Sequence, residues 1–283
     1  MPEPRFALST RLFQDALLDR EHLVHIAAHG FDGLELVATR THFDYRSDAS
    51  VGRLREWLSE TGLDLDAVHA PVFEAVRGRS GIGQYSLASS DEPRRQAAVA
   101  EALAALRLAL HIPFRQLIVH LGIPAAEDRD GVDNRRDAAR RSAEAVTEAA
   151  SRLGVQVAFE LLPNALSTAH ALVRLLEEEL EGTSAGICLD YGHAHLTGDL
   201  ADVIETVGGH IVATHIHDND GRRDSHLMPF AGTIDWAAAM TETQKVGYDG
   251  SFTFEVAESG DPAQILSRAA RVRARLADAL VTF

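Results

Sequence analysis

The stretch "NRRDAARRSAEAVTEAASRLGVQVAFELLP", residues 134–163, holds one repeat unit of the fold. From Asn134 to Leu153 small and apolar residues recur at helical spacing among arginines and glutamates, the pattern of an amphipathic helix. Gly154 stands where that helix must stop, because the left-handed residue that closes a helix is least strained as glycine. The period then changes to two. Val155, Val157, Phe159 and Leu161 share one face of a strand, and Gln156, Ala158 and Glu160 share the other. If the large apolar side chains pack against helices, Glu160 points into whatever the sheet encloses.

The same unit recurs in both directions. Short β-rich stretches are expected at 6–10, 33–39, 64–71, 116–122, 155–163, 185–193, 211–218 and 251–258. Helical segments lie between them, as at 91–112, and after the last of them at 261–280, where Asp261 is placed to cap and Pro262 to open the helix. Gly30, Gly62 and Gly247 repeat the stop signal of Gly154. Eight strand–helix units without a Gly-rich nucleotide turn predict an α/β fold, a single (β/α)8 TIM barrel over residues 1–283, in preference to a doubly wound open sheet.

Composition narrows the function classes. A net charge of −15 disfavours a sequence-independent grip on nucleic acid, which needs clustered Lys and Arg. The lone Cys188 excludes an intrachain disulfide framework and, by its parity with Asp190, belongs on the barrel's inner face as an inert thiol. No secretory pattern and no apolar run of membrane-spanning length is present, so the expected setting is the cytosol, with no membrane partner. Self-association into a homo-oligomer is compatible with the sequence and not specified by it.

In such a barrel, reactive groups come from the C-terminal ends of the strands. Here those ends carry His69, His120, Glu160, Asp190, His193, His215 and Glu255. In "SFTFEV" (251–256) Glu255 shares the face of Ser251 and Thr253, opposite two phenylalanines, and so points inward like Glu160. Singly, each residue has a plain reading: a hydrogen-bonded histidine, or half of a buried ion pair. Jointly they are costly to bury without a cation, and a divalent metal site is expected. His22, His25, His29, His42, His111, His170 and His210 fall on helices or connections and are expected to be solvated or capping.

One loop extends the cluster. "THIHDNDGRRDSH" (214–226) brings Asp224 and His226 back toward the mouth after His215, with His217 and Asp218 placed to support ligands or shape the loop. Arg222 and its neighbour Arg223 offer donors to a substrate oxygen, although a solvated loop is the simpler reading of both. The 72–90 segment, rich in glycine and serine, is the candidate lid.

These pieces together resemble the xylose isomerase-like TIM barrels, the sugar (phosphate) isomerases and epimerases related to endonuclease IV. The matching runs are "GFDGLEL" (30–36), "HAP" (69–71), "VHLG" (119–122), "FELLP" (159–163), "LDYGH" (189–193), "HIHDNDG" (215–221), "DSHLMPFAGTIDW" (224–236) and "FEV" (254–256). The resemblance implies one divalent ion on Glu160, Asp190, His215 and Glu255, with Glu160 and Glu255 also moving protons. In the endonuclease IV branch a trinuclear zinc cluster adds the positions of His69, His120, His193, Asp224 and His226. One departure is Phe230, where relatives carry glycine after the proline; it is the candidate apolar wall for substrate, beside Arg222 as a polar one.

The expected chemistry is isomerisation or epimerisation of a small sugar or polyol ketone, phosphorylated or not, through an enediolate. His193 would hold a substrate oxygen or shuttle a proton. His and carboxylate ligands suit Mn²⁺, Zn²⁺, Co²⁺ or Mg²⁺ alike. Two other readings use the same residues: a phosphodiesterase acting on abasic DNA, and a lyase that dehydrates a keto-inositol or keto-sugar.

Overall fold

The computed structural model describes residues 3–77, 80–258 and 260–281. Its strands are β1 (Phe6–Ser9), β2 (Gly33–Val37), β3 (Asp64–His69), β4 (Phe73–Arg77), β5 (Ser80–Gln84), β6 (Gln116–Val119), β7 (Gln156–Glu160), β8 (Gly186–Asp190), β9 (Ile211–Ile216) and β10 (Phe252–Phe254). All but β4 and β5 form a closed parallel barrel in the order β1-β10-β9-β8-β7-β6-β3-β2. The helices are α1 (Arg20–Ala28), α2 (Asp48–Thr61), α3 (Glu92–Leu106), α4 (Arg136–Ser151), α5 (Ala169–Arg174), α6 (Tyr191–Thr197), α7 (Leu200–Val207), α8 (Trp236–Lys245) and α9 (Pro262–Val281). The expected (β/α)8 barrel is therefore the observed one. Among the described residues no helix is long and apolar enough to cross a membrane.

Alternation along the strands divides the core into two parts. The outward faces, with Leu8, Leu34, Leu36, Phe159, Leu189 and Phe254 among them, are fully buried against the helices. The inward faces carry a separate layer of mostly small residues, Ala67, Ala158, Cys188 and Ala213 with Ile118 among them. This layer matters for the site. Alanines and a cysteine across the barrel leave width for imidazoles and carboxylates to converge one layer above, at His69, Glu160, Asp190 and His215. Cys188 has no exposed surface, and burial pushes its thiol far above its ordinary range, so it stays protonated.

Local signals explain the ends of the elements. Gly62 closes α2 in the left-handed region (φ 72°), its N–H donating to the Leu58 carbonyl at 2.9 Å. Asp190 ends β8 and caps α6 by accepting from the His193 N–H at 2.7 Å. The strand expected over 185–193 therefore stops at Asp190, and His193 sits in a helical turn. The candidate lid is a paired hairpin, β4 against β5, whose residues 78 and 79 lie outside the described residues. His42 departs from expectation: it is fully buried, its Nδ1–H donates to the Ala16 carbonyl at 2.7 Å, and burial lowers its pKa to about 4.

Candidate metal centre and active site

The C-terminal ends of the barrel strands enclose three groups of ligand atoms. Glu160, Asp190, His215 and Glu255 each offer one atom within 4.8 Å of the others, and so do the sets His69, His120, Glu160 and His193, His217, Asp224, His226. Every ligand position expected from the sequence is brought into one of the three. Asp224 and His226 reach them because the Asp218 and Leu227 backbones exchange hydrogen bonds of 2.8 and 2.9 Å, folding the loop back over the mouth.

Three of the histidines have Nδ1 committed to a backbone carbonyl. His69 Nδ1 donates to the Ala70 carbonyl, His193 Nδ1 to the Leu161 carbonyl and His226 Nδ1 to the Glu255 carbonyl, all at 2.9 Å. Their Nε2 atoms then face Glu160 at 3.2 Å and Asp224 at 3.2 and 3.0 Å. His215 is turned the other way. Its Nε2 donates to Glu35 at 2.7 Å, which leaves Nδ1 buried with no hydrogen-bond partner. That nitrogen lies 3.5 Å from Glu160 Oε1, 3.6 Å from Glu255 Oε2 and 3.8 Å from Asp190 Oδ2.

These spacings fit a divalent ion. Metal–ligand bonds of about 2.0–2.2 Å place neighbouring ligand atoms about 3.0–3.6 Å apart, longer than the hydrogen bond a lone histidine–carboxylate pair would form. The charge balance fits as well. Burial alone would lower the His215 pKa, yet Glu35, Glu255 and Glu160 hold it well above its ordinary value. Burial opposes ionisation of Glu160, but His120 and His215 keep it well below the usual carboxylate range. Glu255 is drawn down to about 2 against burial, by Arg11 first and then His215 and His226. Carboxylates kept ionised around a histidine that they hold protonated leave negative charge that a cation could answer in the proton's place.

Two supporting residues escaped the sequence reading. Glu35, 1% exposed, orients His215 by accepting from its Nε2, the place of a carboxylate behind an imidazole that would bind a metal. The alternation of Leu34, Glu35 and Leu36 was the available signal. Arg11, after β1, lies 3.4 Å from Glu255, and nothing in its sequence context marks it. His217, anticipated as a supporting group, donates to Asp190 at 3.0 Å and stacks on His226 with centroids 3.9 Å apart. Asp218 shapes the loop, accepting from Asn219 and Ile234 N–H groups and from the Trp236 indole.

A cavity of about 670 Å³ opens above the cluster, walled by Glu160, Glu255, His193 and the β4–β5 hairpin. Its lining includes neither Arg222 nor Phe230. Arg222 is exposed on a turn held by Asp220. Phe230 packs toward Trp236 with the Arg275 guanidinium 3.7 Å from its ring centroid. Its φ of 70° is a region glycine adopts freely, which accounts for the glycine that the resemblance implies there.

The family model described as xylose isomerase-like TIM barrel matches residues 23–276. The chain belongs to that family. An uncharacterized member-like relative, MJ1311 of Methanocaldococcus jannaschii, is 26% identical over 258 residues, covering 89% of this chain and 83% of its own. Among solved structures, a D-tagatose 3-epimerase-like protein superposes with a TM-score of 0.80 at 23% identity, with 98% of each chain covered. The IolI protein, solved with a zinc atom, gives a TM-score of 0.76 at 16% identity, again with 98% of each chain covered. Both likenesses are of fold.

Proposed function

We propose that this xylose isomerase-like barrel is a divalent-metal-dependent isomerase or epimerase of a small sugar or polyol ketone, with Glu160 and Glu255 as its acid–base pair. The observation that carries the reading is the pair itself. Two buried, ionised carboxylates on β7 and just beyond β10 converge with the orphaned nitrogen of His215 under a cavity of monosaccharide size. The D-tagatose 3-epimerase-like and zinc-holding neighbours support it by analogy of fold.

Glu160, Asp190, His215 and Glu255 would hold the ion, whether Mn²⁺, Zn²⁺, Co²⁺ or Mg²⁺. When bound there, a divalent cation supplies Lewis-acid polarisation of a carbonyl and offsets the negative charge of an enediolate. One glutamate takes the proton from the carbon beside the carbonyl, and that electron pair moves onto the carbonyl oxygen. Epimerisation returns a proton to the opposite face from the second glutamate once it carries one; isomerisation returns it to the neighbouring carbon. The Nε2 atom of His193, at the cavity wall and 3.2 Å from Asp224, would hold a substrate oxygen. The buried lone cysteine agrees with a cytosolic setting.

Incubation of the Mn²⁺-loaded protein with a panel of ketoses in D₂O tests this. Deuterium should enter carbon next to the carbonyl, and Glu160→Gln and Glu255→Gln should each reduce the exchange by about 10²–10⁴-fold. No exchange with any ketose would sink the reading.

The abasic-DNA phosphodiesterase remains the second reading because all three ligand groups are assembled, as a multinuclear cluster requires. Two or three zinc ions per chain, lost with His69→Ala and His120→Ala, together with nicking of an abasic duplex, would put it first. The lyase reading would show as loss of water from a keto-inositol.

A further inference from the structure

Arg11 is the one arginine among the described residues that line the cavity, and no lysine joins it. Ser9, the last residue of β1, accepts from the Arg11 N–H at 3.4 Å, and the Arg11 carbonyl accepts from Gln14 at 3.1 Å. The guanidinium is thus carried by a fixed 3₁₀ turn (Thr10–Phe13) at the rim. It is short of acceptors. Its contact with Glu255 is 3.4 Å, well outside the roughly 2.7–2.9 Å of a charge-assisted hydrogen bond, and its Nε is buried with no partner. A buried donor left unmade is costly, and a guanidinium has five N–H groups to place. The side chain is 31% exposed and Gln14 lines the cavity beside it, so the free donors have room for an incoming acceptor.

We propose that Arg11, aided by Gln14, binds a carboxylate on the substrate, so that the enzyme acts on keto-sugar acids. The inference rests on the isomerase or epimerase reading and names its substrate class. A carboxylate matches the planar fork of one guanidinium and carries one charge. A phosphate ester carries nearly two, and Glu127, Glu160, Asp224 and Glu255 also line the cavity, where among the described residues no second arginine and no lysine stands beside Arg11 to answer it. A neutral hydroxymethyl group would leave the guanidinium only its long 3.4 Å contact with Glu255.

The test uses D-fructuronate, D-fructose and D-fructose 6-phosphate, which differ only at the terminal carbon. Titration calorimetry on the Mn²⁺-loaded parent, Arg11→Gln and Arg11→Lys measures binding, with melting curves to confirm folding. The parent should bind fructuronate at least about tenfold more tightly than either other ligand. Arg11→Gln should erase that preference, and Arg11→Lys should keep part of it, as a charge without the fork. A preference for the phosphate, equal losses for all three ligands, fructuronate binding indifferent to Arg11, or no binding by the parent would each overturn the proposal. Failure of the underlying reading looks different: an Arg11-dependent preference for fructuronate would persist with no deuterium exchange.

Discussion

The barrel buries carboxylates at both ends, and the two ends treat them differently. At the stem end Asp66, 4% exposed, accepts from Ser251 Oγ at 2.9 Å and lies 3.5 Å from Arg5. At the mouth Glu160, Asp190 and Glu255 face a histidine nitrogen with no hydrogen-bond partner, at 3.5–3.8 Å. Asp66 stands alone, with Oδ2 bonded to Ser251 and Oδ1 left without a hydrogen bond. At the mouth three carboxylates converge on one nitrogen, while Glu160 and Asp190 also accept from His120 and His217 at 2.9 and 3.0 Å. Carboxylates that converge on one unpaired nitrogen have the arrangement a divalent ion would require. The contrast is one of convergence, a lone carboxylate against three around one nitrogen, and the experiments that follow press on one side of it or the other.

The largest effect is expected where the mouth is most committed. His215→Ala removes the nitrogen on which three carboxylates converge. Metal content after dialysis should fall to background, and deuterium exchange should drop by about 10³-fold or more, the equivalent of several kcal/mol of charge stabilisation. Plasma mass spectrometry and exchange rates check both; metal retained at one ion per chain would move the centre elsewhere in the cluster.

Next comes a packing test. A Cβ on Gly192 would lie 2.0 Å from His217 Cε1, and that ring cannot retreat because it stacks on His226 at 3.9 Å. Gly192→Ala should destabilise the chain by about 1–3 kcal/mol and weaken metal retention through Asp190, which His217 holds. Denaturant unfolding and metal titration together read this; unchanged metal affinity would separate His217 from the site. Glu35→Gln is milder, since the amide oxygen can still accept from His215. About tenfold weaker metal binding with unaltered stability is expected, at the low end for a residue behind a ligand. A stability loss without an affinity change would make Glu35 a plug like Asp66.

What the sequence disclosed follows from which forces are periodic. Barrel topology and the inward direction of Glu160 and Glu255 were legible because alternation and strand ends repeat eight times along the chain. Glu35 obeys the same alternation and was passed over because it precedes the strand end by two residues. Arg11 had no such signature, since its place depends on a 3₁₀ turn and on β10 closing beside β1 across most of the chain's length. His193 was assigned to a strand end because the Asp190 cap, which starts a helix, looks the same in sequence as one more strand residue. Arg222 and Phe230 are suggested by loop proximity; neither lines the cavity, Arg222 lying exposed after an Asx turn that holds its backbone and Phe230 under the Arg275 guanidinium.

The smallest effect should come from the stem end, and it is the sharpest use of the contrast. Burial holds the Asp66 carboxyl above its ordinary value, more than Ser251 and Arg5 offset. A raised folded-state pKa means that the native chain binds this proton more tightly than the unfolded chain does. Asp66 therefore favours folding below pH about 4, and that contribution is lost as pH rises through the folded value. At pH 7 the ionised group brings little, because its cationic partner is a third exposed at 36% and solvent screens the pair. Asp66→Asn should be as stable as the parent at pH 7, within about 1 kcal/mol, and its stability should vary less between pH 4 and 7. Melting curves across that range decide it. A loss of several kcal/mol at neutral pH would mean that the stem end, too, depends on a buried charge, and the convergence of carboxylates would no longer tell a plug from a site.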